Sequence, residues 1–299
     1  MVGFGQLASG AALYTTTLRE LPAAGPRTSC LDHDQLILVT AGHGTLAVDF
    51  VARRCRPGTL LWVRPGQVVG YGQQPGLDAI LIGWAAELLA TVVARAPALA
   101  DPLGPSHWQL AGEDEDAIIT EVSQLVVDCR RRPAGDLAGE LLRHQLAVLL
   151  LRVALLTPDA GAVSTGGSTF VRFRQEVERA YRSTRRVEDY ATRLGCSVRT
   201  LTRSSLAATG RSAKQVVDDR AALEARRLLA CTDLPVAEVG QRLGFPEPTN
   251  FGRFFHREVG CSPGAFRSRL HRPRIPLQRQ SGTATEAAAG GLRSTRAEE

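Results

Sequence analysis

The chain is almost without lysine. Lys214 stands alone among 299 residues, and there is a single methionine. Arginine carries nearly all of the positive charge, a compositional bias that lowers what any one arginine says. The six cysteines (Cys30, Cys55, Cys129, Cys196, Cys231 and Cys261) form no Cys-x-x-Cys pair and no dense cluster. That spacing argues against a disulfide scaffold or a zinc ribbon. Long apolar runs are missing too. The richest stretches, 79–94 and 145–156, are broken by Glu87 and Arg152, and neither reaches the roughly 20 residues a bilayer span needs. The opening residues MVGFGQLASGAAL lack the basic start and apolar core of a signal peptide. These absences predict a cytoplasmic protein with no membrane partner.

Charge is unevenly placed. Residues 1–169 carry a net −4, whereas residues 170–275 carry +10. A basic block of this kind is the electrostatic footprint of a polyanion partner.

The first half reads as short strands joined by glycine turns. QLILVTA (35–41) suits a buried strand, GHG (42–44) a turn and TLAVDF (45–50) an alternating strand, and RPGTLLWVRPGQVVGY (56–71) continues the pattern. Such spacing predicts a small β-barrel or sandwich. Helices follow. Ile118, Val122, Leu125, Val126 and Cys129 make one apolar stripe. Residues 136–156 are apolar nearly all round, which predicts burial against the barrel, the other helix or a second subunit. The segment TPDAGAVSTGGS (157–168) reads as a linker. The expected domains are 1–158, a linker at 159–168, a helical domain at 169–272 and a disordered tail at 273–299.

Residues 187–270 repeat a pattern. VEDYATRLGCSVRTLTRSSLAATGRSAKQVV is followed about fifty positions later by VAEVGQRLGFPEPTNFGRFFHREVGCSPGAF. Ala191, Leu194 and Gly195 recur as Gly240, Leu243 and Gly244. Leu201, Arg203, Gly210 and Ser212 recur as Phe251, Arg253, Gly260 and Ser262. The offset changes from 49 to 50, so the second turn holds one added residue. Two helix–turn–helix copies on a basic stretch point to duplex DNA.

In the first copy, Ser197 is a good N-cap, and Val198, Leu201 and Leu206 are expected to point inward. Arg199, Thr202 and Arg203 then share the opposite face, where they would meet base edges in a major groove. In the second copy, Phe251, Phe254 and Phe255 supply core and leave Thr249, Asn250 and Arg253 for the groove. Ser212 and Ser262 read as N-caps whose helix ends meet phosphates. The helix between the copies, 212–231, would be about 30 Å long. That matches the roughly 34 Å between successive major-groove faces. Arg226 and Arg227 on this helix are read as salt-bridging, with phosphate contact as the alternative.

The stretch DLPVAEVGQRLGFPEPTNFGRFFHREVGCSPGAFR (233–267) resembles the signature of the AraC/XylS family of bacterial transcription regulators in its Leu-Gly-Phe turn, its Phe-x-Arg-x-Phe core and its Gly-x-Ser-Pro close. The likeness covers about residues 170–270. The first 160 residues resemble the family's cupin-like effector-binding and dimerisation domain more loosely. The resemblance implies an α+β chain of two domains. An N-terminal cupin-like β-barrel with flanking helices would precede an all-α domain with two helix–turn–helix motifs on a linker helix. It further implies a homodimer that binds promoter or operator DNA, answers to a small-molecule effector and, if an activator, touches RNA polymerase. Two departures stand out. Ser204 and Ser205 replace the usual aromatic of the first motif, and Pro246 and Pro248 crowd the start of the second reading helix.

For the effector pocket the candidates are Tyr14, His33, Trp62, Tyr71 and Trp84, against a plainer reading as core with His33 at a strand end. A metal-binding cupin needs a His pair, a carboxylate and a later His. Here LDHDQ surrounds His33, and PGQ is followed by Val68, Val69 and Gly70, so no metal and no cofactor is expected. Cys129, next to Arg130, Arg131 and Arg132, is a thiol-sensor candidate or a buried apolar residue. The rival readings are a constitutive regulator whose barrel only dimerises, a cupin-type enzyme with a DNA-binding tail, and a DNA repair methyl-acceptor. The last needs a cysteine cluster near the N-terminus that is not there. No catalytic residue is expected.

Overall fold

The computed structural model describes residues 13–21, 28–72, 76–89, 104–131, 136–156 and 165–271. The expected tail at 273–299 and most of the expected linker lie outside them.

Among the described residues the first half holds nine strands. They are β1 (Leu13–Thr17), β2 (Thr28–Cys30), β3 (Asp34–Ala41), β4 (Gly44–Val48), β5 (Val51–Cys55), β6 (Thr59–Val63), β7 (Val68–Gly70), β8 (Asp78–Trp84) and β9 (His107–Gln109). They form two antiparallel sheets, ordered β1-β8-β3-β6-β9 and β2-β7-β4-β5. The expected β-barrel or sandwich is present as two sheets that do not close on each other. Among the described residues the two sheets share no hydrogen-bonded strand pair. β2 and β7 are three residues long, too short to bend from one sheet into the other. Side chains join the sheets instead. Ile37 and Val39 of β3 pack with Leu46, Cys55 and Val69 between the sheets, while Leu36 and Leu38 face the other way. The period of two splits one buried strand between two cores.

That outer face is covered by α1 (Gly112–Arg131) and α2 (Asp136–Leu155). Ile118, Val122 and Leu125 of α1, as expected, join Leu146, Leu149, Leu150 and Val153 of α2 over Leu36, Leu60, Trp62 and Trp84. Cys129 is partly buried. The expected burial of α2 against the sheet and the other helix holds for one face of it. Leu141, Val148 and Leu151 are 47%, 42% and 45% exposed. The sheet and α1 cover one side of α2, and no described residue covers the other.

The strand expected over 45–50 ends at Val48. Asp49 and Phe50 form a two-residue hairpin, both with positive φ (51° and 66°), and Val48 pairs with Val51. This is the backbone sign of a type I′ turn, made without the usual Asn-Gly. A left-handed Phe is an outlier that its surroundings must hold in place.

The second half packs α3 (Thr165–Ala180), α4 (Val187–Leu194), α5 (Val198–Thr209), α7 (Val236–Arg242), α8 (Pro248–Val259) and α9 (Pro263–His271) around α6 (Ala213–Cys231). α3 begins inside the stretch read as linker. Ala213, Ala221, Ala222 and Ala225 of α6 are buried, and their small side chains let six helices approach one axis. Two buried carboxylates hold the shell. Glu224 accepts from Arg182 at 2.7 Å and from Arg220 at 3.1 Å, and Asp218 pairs with Lys214 and with Arg257.

The halves meet at the Asp49–Phe50 hairpin. Asp49 takes two hydrogen bonds from Arg227 of α6, at 2.9 and 2.6 Å. Phe50 packs edge-on against Phe266 of α9, and Arg226 lies over its ring. So Arg227 is salt-bridging, as expected, to Glu224 on its own helix at 3.8 Å and also to the other half of the chain. The cysteine spacing argues against a disulfide scaffold, and among the described residues a single pair is bonded. Cys30 and Cys231 form a disulfide, 201 residues apart with Cα atoms 5.7 Å apart. Spacing gives no hint of a bond whose ends lie on separate cores.

Candidate nucleic-acid interface

In the first motif α4 ends at Gly195, left-handed at φ 64°, and Ser197 caps α5 by accepting from the Thr200 amide. Both roles match expectation. In the second motif Gly244 turns at φ 74°, and a Cβ there would lie 2.6 Å from the Arg182 carbonyl. At Gly240 a Cβ would sit 3.0 Å from Phe251, which is why a small residue stands where α7 crosses α8. α5 starts three residues after Gly195 and α8 four after Gly244, which is the added residue seen in the repeat. Glu247 caps α8 without a side-chain bond, and Pro248 occupies its first turn.

The inward face of α5 differs from expectation. Leu201 is fully buried, but Val198 and Leu206 are 37% and 49% exposed. Ser204 and Ser205 take their place, each donating its hydroxyl to the Leu201 carbonyl, at 3.0 and 2.7 Å. Two small self-satisfied side chains let α5 turn toward the core through its middle. The stripe spacing alone weighted Val and Leu too heavily.

The residues expected to read bases stay toward solvent. Arg199 and Arg203 are exposed and Thr202 is half-buried. On α8, Thr249, Asn250 and Arg253 are exposed, while Phe251, Phe254 and Phe255 are buried. Among the described residues none forms an ion pair with Arg199, Arg203 or Arg253. Nearby arginines are tied down: Arg182 to Glu224, Arg193 to Glu176, Arg211 to Asp219, Arg220 to Glu178, Arg242 to Glu238 and Arg257 to Asp218. Arg199, Arg203 and Arg253 thus lie without an ion pair on the exposed faces of α5 and α8.

Ser212 forms a capping box with Gln215 at the start of α6, and Ser262 accepts from the Ala265 amide at the start of α9. An open groove between α8 and α9 brings Arg253 beside Ser262, with His256 and Arg257 on its rim. Those last two are additions that the repeat did not single out. α6, at 19 residues, is about 28 Å long and holds both motifs as one body.

The effector candidates divide. Tyr14, His33 and Tyr71 come together through Gln35, which was not foreseen. Gln35 donates to the Tyr14 hydroxyl and accepts from the Tyr71 hydroxyl, both at 2.7 Å. Tyr14 lies 2.8 Å from His33 Nε2, and His33 Nδ1 lies 2.7 Å from Asp32. Burial pushes the Tyr14 hydroxyl up to about 12, and the Tyr71 hydroxyl is raised for the same reason. Gln35 shares its face of β3 with Ile37 and Val39, a signal the alternation carried. Trp62 and Trp84 lie on the other face, 5.8 Å apart under α1 and α2, and do not join the network. Trp62 donates to Asp34 at 2.8 Å.

Among the described residues no helix is long and apolar enough to cross a membrane. A helix-turn-helix domain model matches residues 190–269, and an AraC-like ligand binding domain model matches residues 26–147. The chain is 26% identical over 242 residues to the HTH-type transcriptional activator RhaR of Klebsiella pneumoniae, across 79% of this chain and 85% of that one. It is 24% identical over 177 residues to the HTH-type transcriptional activator RhaS of Yersinia pestis, across 58% and 63%. Among solved structures it is similar to ToxT from Vibrio cholerae (11% identity, TM-score 0.44, 87% and 98% covered). It is also similar to the DNA-binding domain of AdpA in complex with a target DNA (32% identity, TM-score 0.32, 36% and 97% covered). With a ligand-binding domain of AraC type ahead of two helix–turn–helix motifs, the chain belongs to the AraC family of DNA-binding transcriptional regulators.

Proposed function

We propose that this chain is a cytoplasmic, non-enzymatic activator that reads promoter DNA through α5 and α8 under the control of a small-molecule effector. The observation that carries the reading is the set of unpaired guanidiniums, Arg199, Arg203 and Arg253, on the exposed faces of two helices joined by α6. Arg199, Thr202 and Arg203 contact base edges in one major groove; Thr249, Asn250 and Arg253 do so in the next. Ser212 and Ser262 set helix ends against phosphates. The effector-binding part spans residues 1–158 and the DNA-binding part 169–272. The effector lies between the sheets beside Tyr14, His33 and Tyr71, and its occupancy shifts an equilibrium between arrangements of the two parts. As an activator the chain contacts RNA polymerase, as its named relatives' description as activators supports.

It works as a homodimer. Leu137, Leu141, Val148, Leu151 and Leu155 of α2 are all exposed. With His144 they follow alternating steps of four and three, the seam of a helix pair, which favours a second copy as its cover.

The test is binding to a promoter fragment over a series of salt concentrations. Arg203→Ala should weaken binding by about tenfold and relax the preference at one base pair. Unchanged affinity and preference would remove α5 as a reading helix. A ligand that stabilises the chain in a thermal-shift panel supports the effector, and none doing so favours a constitutive regulator.

A further inference from the structure

Cys30 and Cys231 join the two halves at a place already built for docking. Cys30 pairs with Val68 across the β2–β7 ladder. Asp49 flanks the same residue from the other side, donating its amide to the Val68 carbonyl at 2.7 Å and accepting from the Val68 amide at 3.1 Å. On α6 the two partners, Arg227 and Cys231, stand four residues apart and so share a face. Two fastenings in register thus connect β7's neighbours to one stripe of α6. One is ionic, Asp49 to Arg227; the other is the disulfide. Only the second depends on redox state.

We propose that the Cys30–Cys231 pair is a reversible redox-modification site, a latch that locks the ligand-binding half to the helix carrying both DNA-reading motifs. The oxidant is a low-molecular-weight disulfide. One protein thiolate attacks it, forming a mixed disulfide and releasing one small thiol. The second protein thiolate attacks the protein sulfur of that mixed disulfide and releases the other small thiol. The chain gives up two protons and two electrons, and one small disulfide becomes two thiols. A dithiol runs the exchange backwards.

Several features make this a switch rather than a staple. Both cysteines are only partly buried, so a small reagent reaches them. Cys55 is buried and donates its thiol to the Arg53 carbonyl, and so competes poorly. The interface outside the disulfide is modest, with one ion pair and the Phe50 contacts on Phe266 and Arg226 as its main features. A DNA-binding regulator works where thiols are kept reduced, and disulfides there are transient and sensing. The position matters most. α6 sets both motifs, so fixing it to the β-sheets fixes the direction in which the reading faces point relative to the other half.

The latch bears on DNA through the reading proposed above, so its test has arms that do not need DNA. The full chain is equilibrated across a series of oxidised and reduced glutathione, and its disulfides are mapped by mass. A Cys30–Cys231 linkage that forms and reverses is expected, together with amide exchange at residues 48–51 and 224–231 about tenfold faster after reduction. Affinity for a duplex selected from genomic fragments should differ by about fivefold or more between the two forms. Cys30→Ser and Cys231→Ser should each hold the reduced value under oxidant, while Cys55→Ser still switches. The proposal is overturned if no such linkage forms, if Cys30→Ser still responds, or if the two forms exchange and bind alike. If neither form binds DNA, the DNA reading fails, and the mapping and exchange arms still decide the latch.

Discussion

Arg185 lies flat on Phe245, its guanidinium carbon 3.5 Å from the ring centroid, and donates to the Leu243 carbonyl at 2.9 Å. An arginine from the loop before the first motif thus clamps the turn of the second. Arg185→Ala removes a cation–π contact and a hydrogen bond to a backbone acceptor, each worth about 1–2 kcal/mol. Thermal unfolding should show a lower midpoint. DNA footprinting should lose protection over the half-site read by α8 before the half-site read by α5.

The two motifs are expected to divide their work. α5 has the richer reading face and α8 the heavier aromatic core. Arg199→Ala should cost about 1–3 kcal/mol and blur the preference at one position. Arg253→Ala, beside Ser262 and the start of α9, should blur the preference at a different position, in the groove that α8 reads, with a smaller loss of specificity than Arg199→Ala. Selection from a randomised duplex library separates these outcomes. An Arg253 variant that weakens all sequences evenly and lowers the salt slope would make Arg253 a phosphate contact instead.

Gly244→Ala places a methyl group 2.6 Å from the Arg182 carbonyl at a left-handed position. The backbone has to move, because that neighbour is not a flexible side chain. A loss of more than about 1 kcal/mol is expected, against a far smaller effect for Gly252→Ala, where a Cβ meets open space. Urea unfolding of both variants checks the contrast.

Burial raises the Glu224 carboxyl, but Arg220 and Arg182 outweigh burial and hold it below its ordinary 4.5. A depressed acid stabilises the fold above its unfolded value, and that contribution is lost as pH falls through the folded one. Stability should therefore decline on acidification below about pH 4.5, the ordinary value of the group. Glu224→Gln should flatten that part of the curve while lowering stability at neutral pH. A slope identical in the variant would assign the decline to other carboxylates.

Gln35→Leu strips the Tyr14 and Tyr71 hydroxyls of their shared partner inside the β-domain. Tyr14 keeps His33 as a partner, and leaving the Tyr71 hydroxyl unpaired costs roughly 1–3 kcal/mol, readable by denaturant titration. Trp62→Phe, on the opposite face of its sheet, should leave any effector-induced thermal shift in place, whereas Gln35→Leu should reduce it.

The helical half was legible because its constraints are local. Gly195, Ser197 and the Phe251–Phe254–Phe255 set each act within a turn or one helix face, so repetition exposed them. α5 was misjudged at Val198 and Leu206 because two serines, satisfied by Leu201's own carbonyl, can face inward where spacing alone favours larger residues. The β-domain was legible strand by strand, and the choice between barrel and sandwich was left open, since whether sheets meet by hydrogen bonds or by side chains depends on partners far along the chain. The same distance hid the Asp49–Phe50 hairpin, whose left-handed Phe makes sense only once Phe266 is beside it, and the Cys30–Cys231 bond.

α6 also acts on what kinds of change the molecule tolerates. Adding or deleting one residue in a continuous helix turns everything beyond it by about 100° and shifts it by about 1.5 Å. A single-residue insertion between Ala213 and Cys231 would swing α8 out of register with α5, and would separate Arg227 or Cys231 from its partner across the interface. Side chains on the exposed stripe of this helix are free to drift, but its length is not. The helix is a ruler whose graduations come in whole residues, and only a stretch of such fixed count keeps two motifs and two fastenings in step.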